Sequence, residues 1–418
     1  MKNILMISPI YPGNGTPKGY TPVVHYFTKE WVKMGYNVRV IHTSAYYPQI
    51  FYMAPKWIRN IIENQVGITL PSEQINNEGE YILDGVSVYR IAVKKTKPHG
   101  KYSQNVLEEL CEKCQTYLNR IDYYPDVIIS HWMNPTAFLM HYLKQIYHCP
   151  TTMVLHGGAD QINLFPNATD IFKSIDIWGY RAEKTRLQFE RQYGVPKMAF
   201  RCYSGIPSNC VCAPIVRDWS NVNRYVFVGQ LINRKYPDCV IDAIATVEKD
   251  KNYSFHIVGE GAMDKKLQKQ VLYLKQEKKI VMHGRVPRLD VVGFFNNSDI
   301  FIMISRYEVF GLVYLEAMSR GCITIASKGE GMEGIIKDGI NGFLCEAGNT
   351  KELISIIQRI KTMSPQQLTK ISQMGRETAL LLTDFNVAKD YIETVKKYSM
   401  EITSANGQND IQHYHSLI

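Results

Sequence analysis

The sequence contains no run of about twenty apolar residues, so it predicts no transmembrane helix. No leader pattern precedes the first strand pattern, at residues 2–9, and we therefore expect a cytoplasmic protein without a secretory signal. The nine cysteines are an odd number spread along the chain, which suits a reducing compartment and disfavours a disulfide framework. Cys111 and Cys114 have CxxC spacing but no second pair, so they indicate neither a zinc site nor a redox site.

Motifs for binding nucleic acid or metal are also missing. No helix-turn-helix, zinc-finger or RNA-binding signature accompanies the net charge of +9, so a nucleotide diphosphate or a bilayer surface is a better anionic partner than nucleic acid. No Asp-x-Asp pair occurs anywhere in the chain. This absence disfavours a fold that holds a diphosphate through a metal ion bound by such a pair, and we expect no metal and no other cofactor.

Two ordinary hydrophobic cores are the expectation for 418 residues of which 45% are hydrophobic. Strand and helix patterns alternate in both halves, which predicts an α/β fold with parallel sheets. A strand-free run at residues 209–223 marks the join between an N-terminal domain, 1–208, and a C-terminal domain, 209–385. A helix pattern follows at about 386–400, and the residues from 401 to 418 form a polar tail.

A strand-to-helix corner in the C-terminal half is the most informative feature. An apolar strand pattern at residues 299–305 runs into a turn, and residues 312–320 then follow helical spacing. The first N–H groups of a helix have no partner inside it, so Phe310, Gly311 and Leu312 can present donors to a phosphate, helped by the helix dipole.

Two carboxylates flank this corner, at Glu308 and Glu316. A carboxylate does not bind a phosphate usefully, but it accepts hydrogen bonds from the hydroxyls of a sugar or a ribose on either side of the phosphate. The alternative is that Glu308 caps the helix and Glu316 is a surface residue.

Further motifs follow this corner in a fixed order: an apolar strand at 321–327, a glycine-rich loop at 329–334 and a turn at 338–343. In order and spacing, residues 299–348 resemble the signature of retaining glycosyltransferases of family 4, with its Glu-x7-Glu motif. The resemblance implies a GT-B fold, in which two Rossmann-like parallel-sheet domains face a deep cleft and the helix at about 386–400 packs back on the N-terminal domain. It also implies a nucleotide diphosphate sugar as the donor.

The run from Tyr225 to Leu231 looks like the opening strand and phosphate-binding loop of the same family. Lys235 matches the family's lysine, an ammonium suited to a diphosphate, whereas Gln230 stands where an arginine usually follows the glycine. Arg234 is adjacent and is the candidate to replace that arginine. In the first half, a loop containing Gly15 would face the cleft in the resembled family. Its Lys18 stands where a dinucleotide fingerprint requires a third glycine.

Two further strand patterns end in histidine, at His131 and His156, where open α/β sheets place their ligands. His156 resembles the family histidine that reaches the donor sugar. His131 fits a packing role and a site role equally.

The resulting interpretation is a retaining glycosyltransferase that acts on a glycan or lipid-linked acceptor, in surface polysaccharide biosynthesis by family resemblance. The catalytic residues would be His156, Lys235 and Glu308, and the donor-binding residues would be Gly15, Gln230, Arg234, Phe310, Gly311, Leu312 and Glu316. The alternatives are a catalytically silent sugar-nucleotide-binding subunit, an epimerase or phosphorylase on the same architecture, and an NAD-dependent dehydrogenase, which the broken glycine fingerprint disfavours.

Peripheral contact with an anionic membrane at the inner face is a further hypothesis. Residues 46–62 mix aromatics with cations, and Lys94, Lys95, Lys97 and Lys101 form a second basic cluster. The alternative is a core-covering loop beside a solvated lysine face.

Overall fold

The structure, a computed structural model, consists of two compact units. The first comprises Met1–Arg181, Thr185–Cys202 and Val387–Ile418, and the second comprises Ala182–Lys184 and Tyr203–Asn386. The chain thus leaves the first unit a few residues before the predicted join and returns to it at Val387. The residues described are 1–13, 22–53, 55, 76–97, 100–157, 163–165, 167–211 and 215–415.

The first unit is built on an eight-stranded sheet in the order β3-β4-β2-β1-β5-β6-β7-β8, in which only β3 runs antiparallel to its neighbour. Its central strands are buried on both faces, as parallel strands covered by helices are, so they appear in the sequence as continuous apolar runs. The strands are β1 Asn3–Ser8, β2 Asn37–Tyr46, β3 Gly79–Leu83, β4 Val86–Lys94, β5 Val127–His131, β6 Thr151–Leu155, β7 Ile177–Tyr180 and β8 Ala199–Arg201.

Helices α1 to α6 connect these strands, and a long C-terminal helix, α13, completes the unit. They are α1 Val23–Lys33, α2 Gln49–Met53, α3 Gln104–Arg120, α4 Thr136–Tyr147, α5 Ala168–Lys173, α6 Glu183–Tyr193 and α13 Asp384–His415. Cys111 and Cys114 lie buried on α3, as core residues. None of the helices in the described part of the chain combines the length and apolarity needed to cross a membrane.

The C-terminal helix is longer than the predicted segment at 386–400, and it continues to His415 through the predicted polar tail. Its first turns pack against α1. The Trp31 indole Nε1 donates a hydrogen bond to the Ala388 carbonyl at 2.8 Å, and the Tyr391 ring meets Phe27 and Trp31 edge-on.

The second unit has a six-stranded, fully parallel sheet in the order β11-β10-β9-β12-β13-β14. The predicted fold class, two parallel-sheet α/β domains, is confirmed. The strands are β9 Arg224–Val228, β10 Ser254–Val258, β11 Ile280–Met282, β12 Ile300–Ile302, β13 Ile323–Ser327 and β14 Phe343–Cys345. The helices are α7 Pro237–Val247, α8 Asp264–Tyr273, α9 Arg288–Asn296, α10 Leu312–Ser319, α11 Thr350–Thr362 and α12 Pro365–Leu381.

Arg217 fixes the C-terminal ends of two of these helices. Its buried guanidinium donates hydrogen bonds to the carbonyls of Phe295 and Arg320 at 2.8 Å and of Gly321 at 3.1 Å. Carbonyls near the end of a helix have acceptor capacity left over, and a cation is favoured at this end of the helix dipole. The contact therefore holds α9 and α10 in register with the strands that they connect.

Candidate active site

Strand order locates a candidate site in the second unit. The chain adds strands outward from β9 on one side, and β12 then starts the other side, so β9 and β12 form the switch point of the sheet. Ligands of open α/β sheets bind outside the carboxyl ends of the strands at such a point. The loops that follow β9 and β12 carry the predicted phosphate loop and the predicted Glu-x7-Glu motif.

Three predicted residues meet at this edge. The Glu308 Oε2 atom lies 3.5 Å from Lys235 Nζ and 3.9 Å from Arg234 Nη1. The side chains of Glu308 and Lys235 are only 15% and 12% exposed, whereas Arg234 is 38% exposed. Two cations and one carboxylate therefore share the site, which leaves a positive charge for an anionic ligand.

Gly229, at the end of β9, lets Lys235 reach this position. A Cβ atom at Gly229 would lie 3.2 Å from Lys235 Nζ and 3.4 Å from Met303 Sδ, so the lysine passes directly over the glycine backbone. The side chain of Gln230, the next residue, is exposed on the same loop. Arg234 is therefore the candidate to replace the arginine that the family resemblance leads one to expect at Gln230.

Gly311 is required at the start of α10. Its φ of +82° is in the left-handed region, and a Cβ atom there would lie 2.5 Å from the Tyr314 ring. Gly311 is the N-cap, and no side chain, including that of Glu308, caps the helix. The Tyr314 N–H donates to the Gly311 carbonyl at 3.1 Å, so the N–H groups that come before it, Leu312 among them, are those without a partner within the helix. Phe310 is buried and anchors the turn.

Glu316 is held by an unpredicted partner. Its carboxylate accepts hydrogen bonds from Arg288, from Nε at 3.0 Å and from Nη2, and its side chain is 12% exposed. Glu316 is therefore a half-buried, ion-paired residue rather than a free surface residue. Arg288 begins α9 and carried no signal in the sequence, because it belongs to no part of the recognised motif.

Glu330 is a second unpredicted residue. One of its oxygens accepts the backbone N–H of Glu308 at 3.0 Å, and the other lies 3.0 Å from Lys184 Nζ, which groups with the second unit. Tyr307, the residue before Glu308, has a φ of +58°, a conformation uncommon for a bulky side chain. Glu330 thus stabilises the turn that aims Glu308. In the sequence, its position in the glycine-rich loop at 329–334 was the feature that could have indicated this role.

Two hydroxyl groups, those of Tyr314 and Ser305, also support the turn that carries Glu308. The Tyr314 hydroxyl donates to the Met303 carbonyl at 2.8 Å and lies 3.1 Å from Ser305 Oγ, which in turn lies 3.4 Å from Glu308 Oε2. These contacts were not predicted, since apolar periodicity does not show which buried hydroxyls meet.

In the first unit, His156 follows β6 and pairs with His131, the last residue of β5. His156 Nε2 lies 2.8 Å from His131 Nδ1, and the His156 ring stacks on Trp132 with a centroid distance of 3.6 Å. Burial lowers the pKa of both histidines well below the ordinary value, and the nearby Arg181 cation acts in the same direction. Both rings are therefore neutral at physiological pH.

Two other predicted features are Gly15 and the basic cluster that includes Lys95. Gly15 lies outside the described residues. Lys95 is wrongly placed in the solvated basic cluster, because it is buried with its Nζ 4.9 Å from the centroid of the Tyr102 ring, and burial lowers the pKa of Lys95 to about 8. Lys94, Lys97 and Lys101 are exposed. Among the described residues, no group of three or more His, Cys, Asp and Glu side chains is arranged to hold a metal ion.

Known proteins are similar to parts of this sequence, and solved structures are similar to its fold. Residues 218–378 match the family model described as glycosyl transferases group 1. An uncharacterised glycosyltransferase of Methanocaldococcus jannaschii is 27% identical over 262 residues, 60% of this chain and 70% of that protein. The N-acetyl-alpha-D-glucosaminyl L-malate synthase of Bacillus anthracis is 28% identical over 140 residues, 33% of this chain and 36% of that enzyme.

Solved structures are similar over nearly the whole chain. Anabaena HepE in complex with UDP and glucose has a TM-score of 0.64 at 17% identity, covering 95% of this chain and 100% of that one. The apo form of the lipopolysaccharide outer core galactosyltransferase WaaB has a TM-score of 0.66 at 16% identity, covering 94% and 99%. The predicted GT-B fold is confirmed. The family match and the relatives together support a glycosyltransferase of the GT-B class.

Replacing Gly311 by Ala should destabilise the protein more than replacing Gly284 by Ala. Both glycines have positive φ, +82° and +67°, but a Cβ atom at Gly284 meets no atom within 4 Å. Gly284→Ala should therefore cost about 1 kcal/mol of backbone strain, and Gly311→Ala about 3 kcal/mol because the methyl also meets the Tyr314 ring. Unfolding in urea measures both losses, and equal losses would contradict the close packing at the start of α10.

Proposed function

We propose that this glycosyltransferase moves a sugar from a nucleotide diphosphate to a hydroxyl of a glycan or lipid-linked acceptor, with retention at the anomeric carbon. The observation that carries the proposal is the contact of Lys235 and Arg234 with Glu308 at the switch point of the second sheet. The site combines charge for a diphosphate with an acceptor for sugar hydroxyls. The resemblance to family 4 and its Glu-x7-Glu motif supports the same assignment.

The diphosphate would bind between the two cations and the start of α10. Lys235 and Arg234 would neutralise its charge, and the N–H groups of Phe310, Gly311 and Leu312, near the positive end of the helix dipole, would donate hydrogen bonds to it. As the bond from the anomeric carbon to the phosphate oxygen breaks, negative charge grows on that oxygen. Donors that are fixed in advance stabilise it, and this is the largest contribution that we assign to catalysis.

The two carboxylates would hold the groups on either side of the diphosphate. Glu308 accepts hydrogen bonds from the sugar hydroxyls, once the incoming phosphate has taken Lys235 as a partner. Glu316 accepts from the ribose while remaining paired with Arg288, since one carboxylate offers about four lone-pair positions. By family resemblance, we assign His156 to the donor sugar.

Retention follows from attack on the face that the diphosphate leaves. The acceptor oxygen forms its bond to the anomeric carbon as the phosphate bond breaks, and the acceptor proton passes to the departing phosphate oxygen. This route needs no carboxylate nucleophile. The catalytic roles then fall to Lys235 and Glu308, with His156 positioning the sugar.

Relatives support the donor and the setting. HepE has been solved with UDP and glucose and with UDP-glucose, which supports a nucleotide-sugar donor. WaaB is described as a lipopolysaccharide outer core galactosyltransferase, and one relative is an uncharacterised protein in the cps region of Klebsiella pneumoniae. These names support surface polysaccharide biosynthesis as the setting that we propose. We also propose the cytoplasmic side of the membrane as its location.

One observation favours a second candidate, a catalytically silent subunit that binds a sugar nucleotide. The side chain of Gln230 carries no charge and is exposed, so one family cation is missing from its usual position. Thermal-shift measurement with UDP-, GDP- and ADP-sugars detects binding, because a ligand of the folded state raises its apparent stability. A stabilising sugar nucleotide that is never turned over, with any acceptor supplied, would favour the silent subunit.

Lys235→Ala and Glu316→Ala should each lower turnover roughly a hundredfold, about 3 kcal/mol of barrier, because each removes an oriented group at the donor. The measurement is release of the nucleoside diphosphate from the donor that the thermal-shift screen identifies. Lys278→Ala and Glu277→Ala, exposed residues of the same unit, are the matched controls and should keep wild-type rates. Wild-type turnover in both site variants would refute the assignment.

Transfer should continue at the same rate in excess EDTA. The proposed leaving-group stabilisation comes from Lys235, Arg234 and helix N–H groups, so no metal ion is required. The assay compares initial rates with and without chelator on the same preparation. Loss of activity that added Mg²⁺ restores would contradict the proposal.

We also propose that the first unit touches an anionic membrane when it receives a lipid-linked acceptor. Ile50 and Met53 on α2 are 79% and 78% exposed, and the exposed cations Lys94, Lys97 and Lys101 belong to the same unit. Exposed apolar side chains together with cations are typical of interfacial segments.

Vesicles containing phosphatidylglycerol should therefore bind the wild-type protein at low salt. Replacing Lys94 and Lys97 by Glu should weaken that binding, since each lysine near an anionic surface contributes about 1 kcal/mol. The double variant Lys265→Glu, Lys269→Glu alters the charge equally on α8 of the second unit and should not weaken it. Absence of wild-type binding, or equal loss in both variants, would exclude the contact.

A further inference from the structure

A chain of hydrogen bonds links three side chains of the first unit. The Tyr391 hydroxyl, on α13, lies 3.2 Å from His131 Nε2, and His131 Nδ1 lies 2.8 Å from His156 Nε2. Tyr391 is 3% exposed and His131 is fully buried, whereas His156 is half-buried at the end of the chain. The three residues come from α13, β5 and the loop after β6.

The chain can point in two directions, because a neutral imidazole has one N–H donor and one acceptor. In one direction, Tyr391 donates to His131 Nε2, and His131 Nδ1–H donates to His156 Nε2. His156 then carries its own proton on Nδ1. In the other direction the donor and acceptor of each hydrogen bond are exchanged. His156 then donates from Nε2 to His131 Nδ1, and His131 donates from Nε2 to the Tyr391 oxygen.

The reversed direction leaves the Tyr391 hydroxyl proton without an acceptor. Within the described ranges, the only hydrogen-bond partner found for this hydroxyl is His131. A buried donor without an acceptor costs about 1–3 kcal/mol, which corresponds to a population ratio of roughly 5- to 150-fold in favour of the first direction. Protonation of either ring is not an alternative, since burial and the Arg181 cation keep both neutral.

We propose that Tyr391 and His131 are positioning residues that hold His156 as the Nδ1–H tautomer, so that it presents a hydrogen-bond donor to an oxygen of the bound sugar. The role of the sugar as ligand rests on the proposed function, whereas the tautomer does not. His156 then orients a hydroxyl oxygen and does not remove a proton. The stack on Trp132, at an interplanar angle of 18°, fixes the plane in which the Nδ1–H group points.

This assignment gives α13 a role beyond packing. The helix that returns to the first unit supplies the hydroxyl at the start of the chain, 260 residues away from His131. Tyr398 lies on the same helix and donates a similar hydrogen bond, at 3.2 Å, to the Ala199 carbonyl, but it does not contact either histidine. Tyr398→Phe is therefore a matched control for Tyr391→Phe.

The test is ¹⁵N NMR of histidine-labelled protein, in which two-bond proton–nitrogen spectra distinguish the two neutral tautomers of each ring. The protein has 11 histidines, and the variants His131→Asn and His156→Asn assign the two that matter. We expect His156 as the Nδ1–H tautomer in the wild type and in Tyr398→Phe, and loss of that preference in Tyr391→Phe. His156 as the Nε2–H tautomer in the wild type, or unchanged in Tyr391→Phe, would overturn the proposal.

Kinetic measurements test whether the hydrogen-bond chain matters for the proposed contact of His156 with the sugar. Tyr391→Phe should lower kcat/KM for the donor roughly tenfold, the factor that matches the loss of one hydrogen-bond preference. His131→Asn keeps an N–H donor near the Nδ1 position and should retain more activity than His131→Leu. A normal kcat/KM in Tyr391→Phe, with the tautomer shifted, would overturn the role of His156 toward the sugar. If the wild type turns over no sugar nucleotide, the proposed function fails, and the spectra still decide the tautomer.

Discussion

The ion pair between Lys235 and Glu308 is the interaction on which the candidate site depends. Both side chains are largely withdrawn from water, and neither charge could be buried alone without a cost of several kcal/mol. They meet because β9 and β12, which are distant in sequence, are neighbours in the sheet and end at the same edge. The order of the strands therefore creates the site, and the ion pair keeps its two loops together.

The same pairing explains how one site can offer both cations and carboxylates to a ligand. Glu308 is paired with Lys235, Glu316 with Arg288, and Glu330 with Lys184, so each of these three carboxylates has a cation partner. In the proposed reaction the phosphate replaces Glu308 as the partner of Lys235, which frees Glu308 for hydroxyls. Arg288 has no such competitor and would remain on Glu316.

Local patterns predicted the elements that depend on local chemistry. Continuous apolar runs located the buried parallel strands, and the glycine before Leu312 located the start of α10, because only glycine fits its φ of +82° beside the Tyr314 ring. Family order and spacing named Lys235, Arg234 and Glu308 as site residues, but the ion pairs that join them were not predicted. The assignment to a retaining family-4 enzyme stays a prediction.

Long-range partners could not be predicted in this way. Glu330 contacts a residue 22 positions away and another 146 positions away, and no pattern in a single sequence connects them. Lys95 looked like one of several solvated lysines, because its burial depends on the Tyr102 ring. The extension of α13 to His415 was also missed, since residues beyond 401 lack the apolar spacing that marks a packed helix.

The return of the chain at Val387 has a consequence during translation. Phe27 and Trp31 complete their packing only with Ala388 and Tyr391, so the first unit cannot finish its core while the second is still being synthesised. At typical elongation rates the ribosome needs roughly ten to forty seconds to make the intervening residues. Throughout that interval Phe27 and Trp31 lack their partners on α13, and the second unit finishes synthesis before the core of the first can be completed.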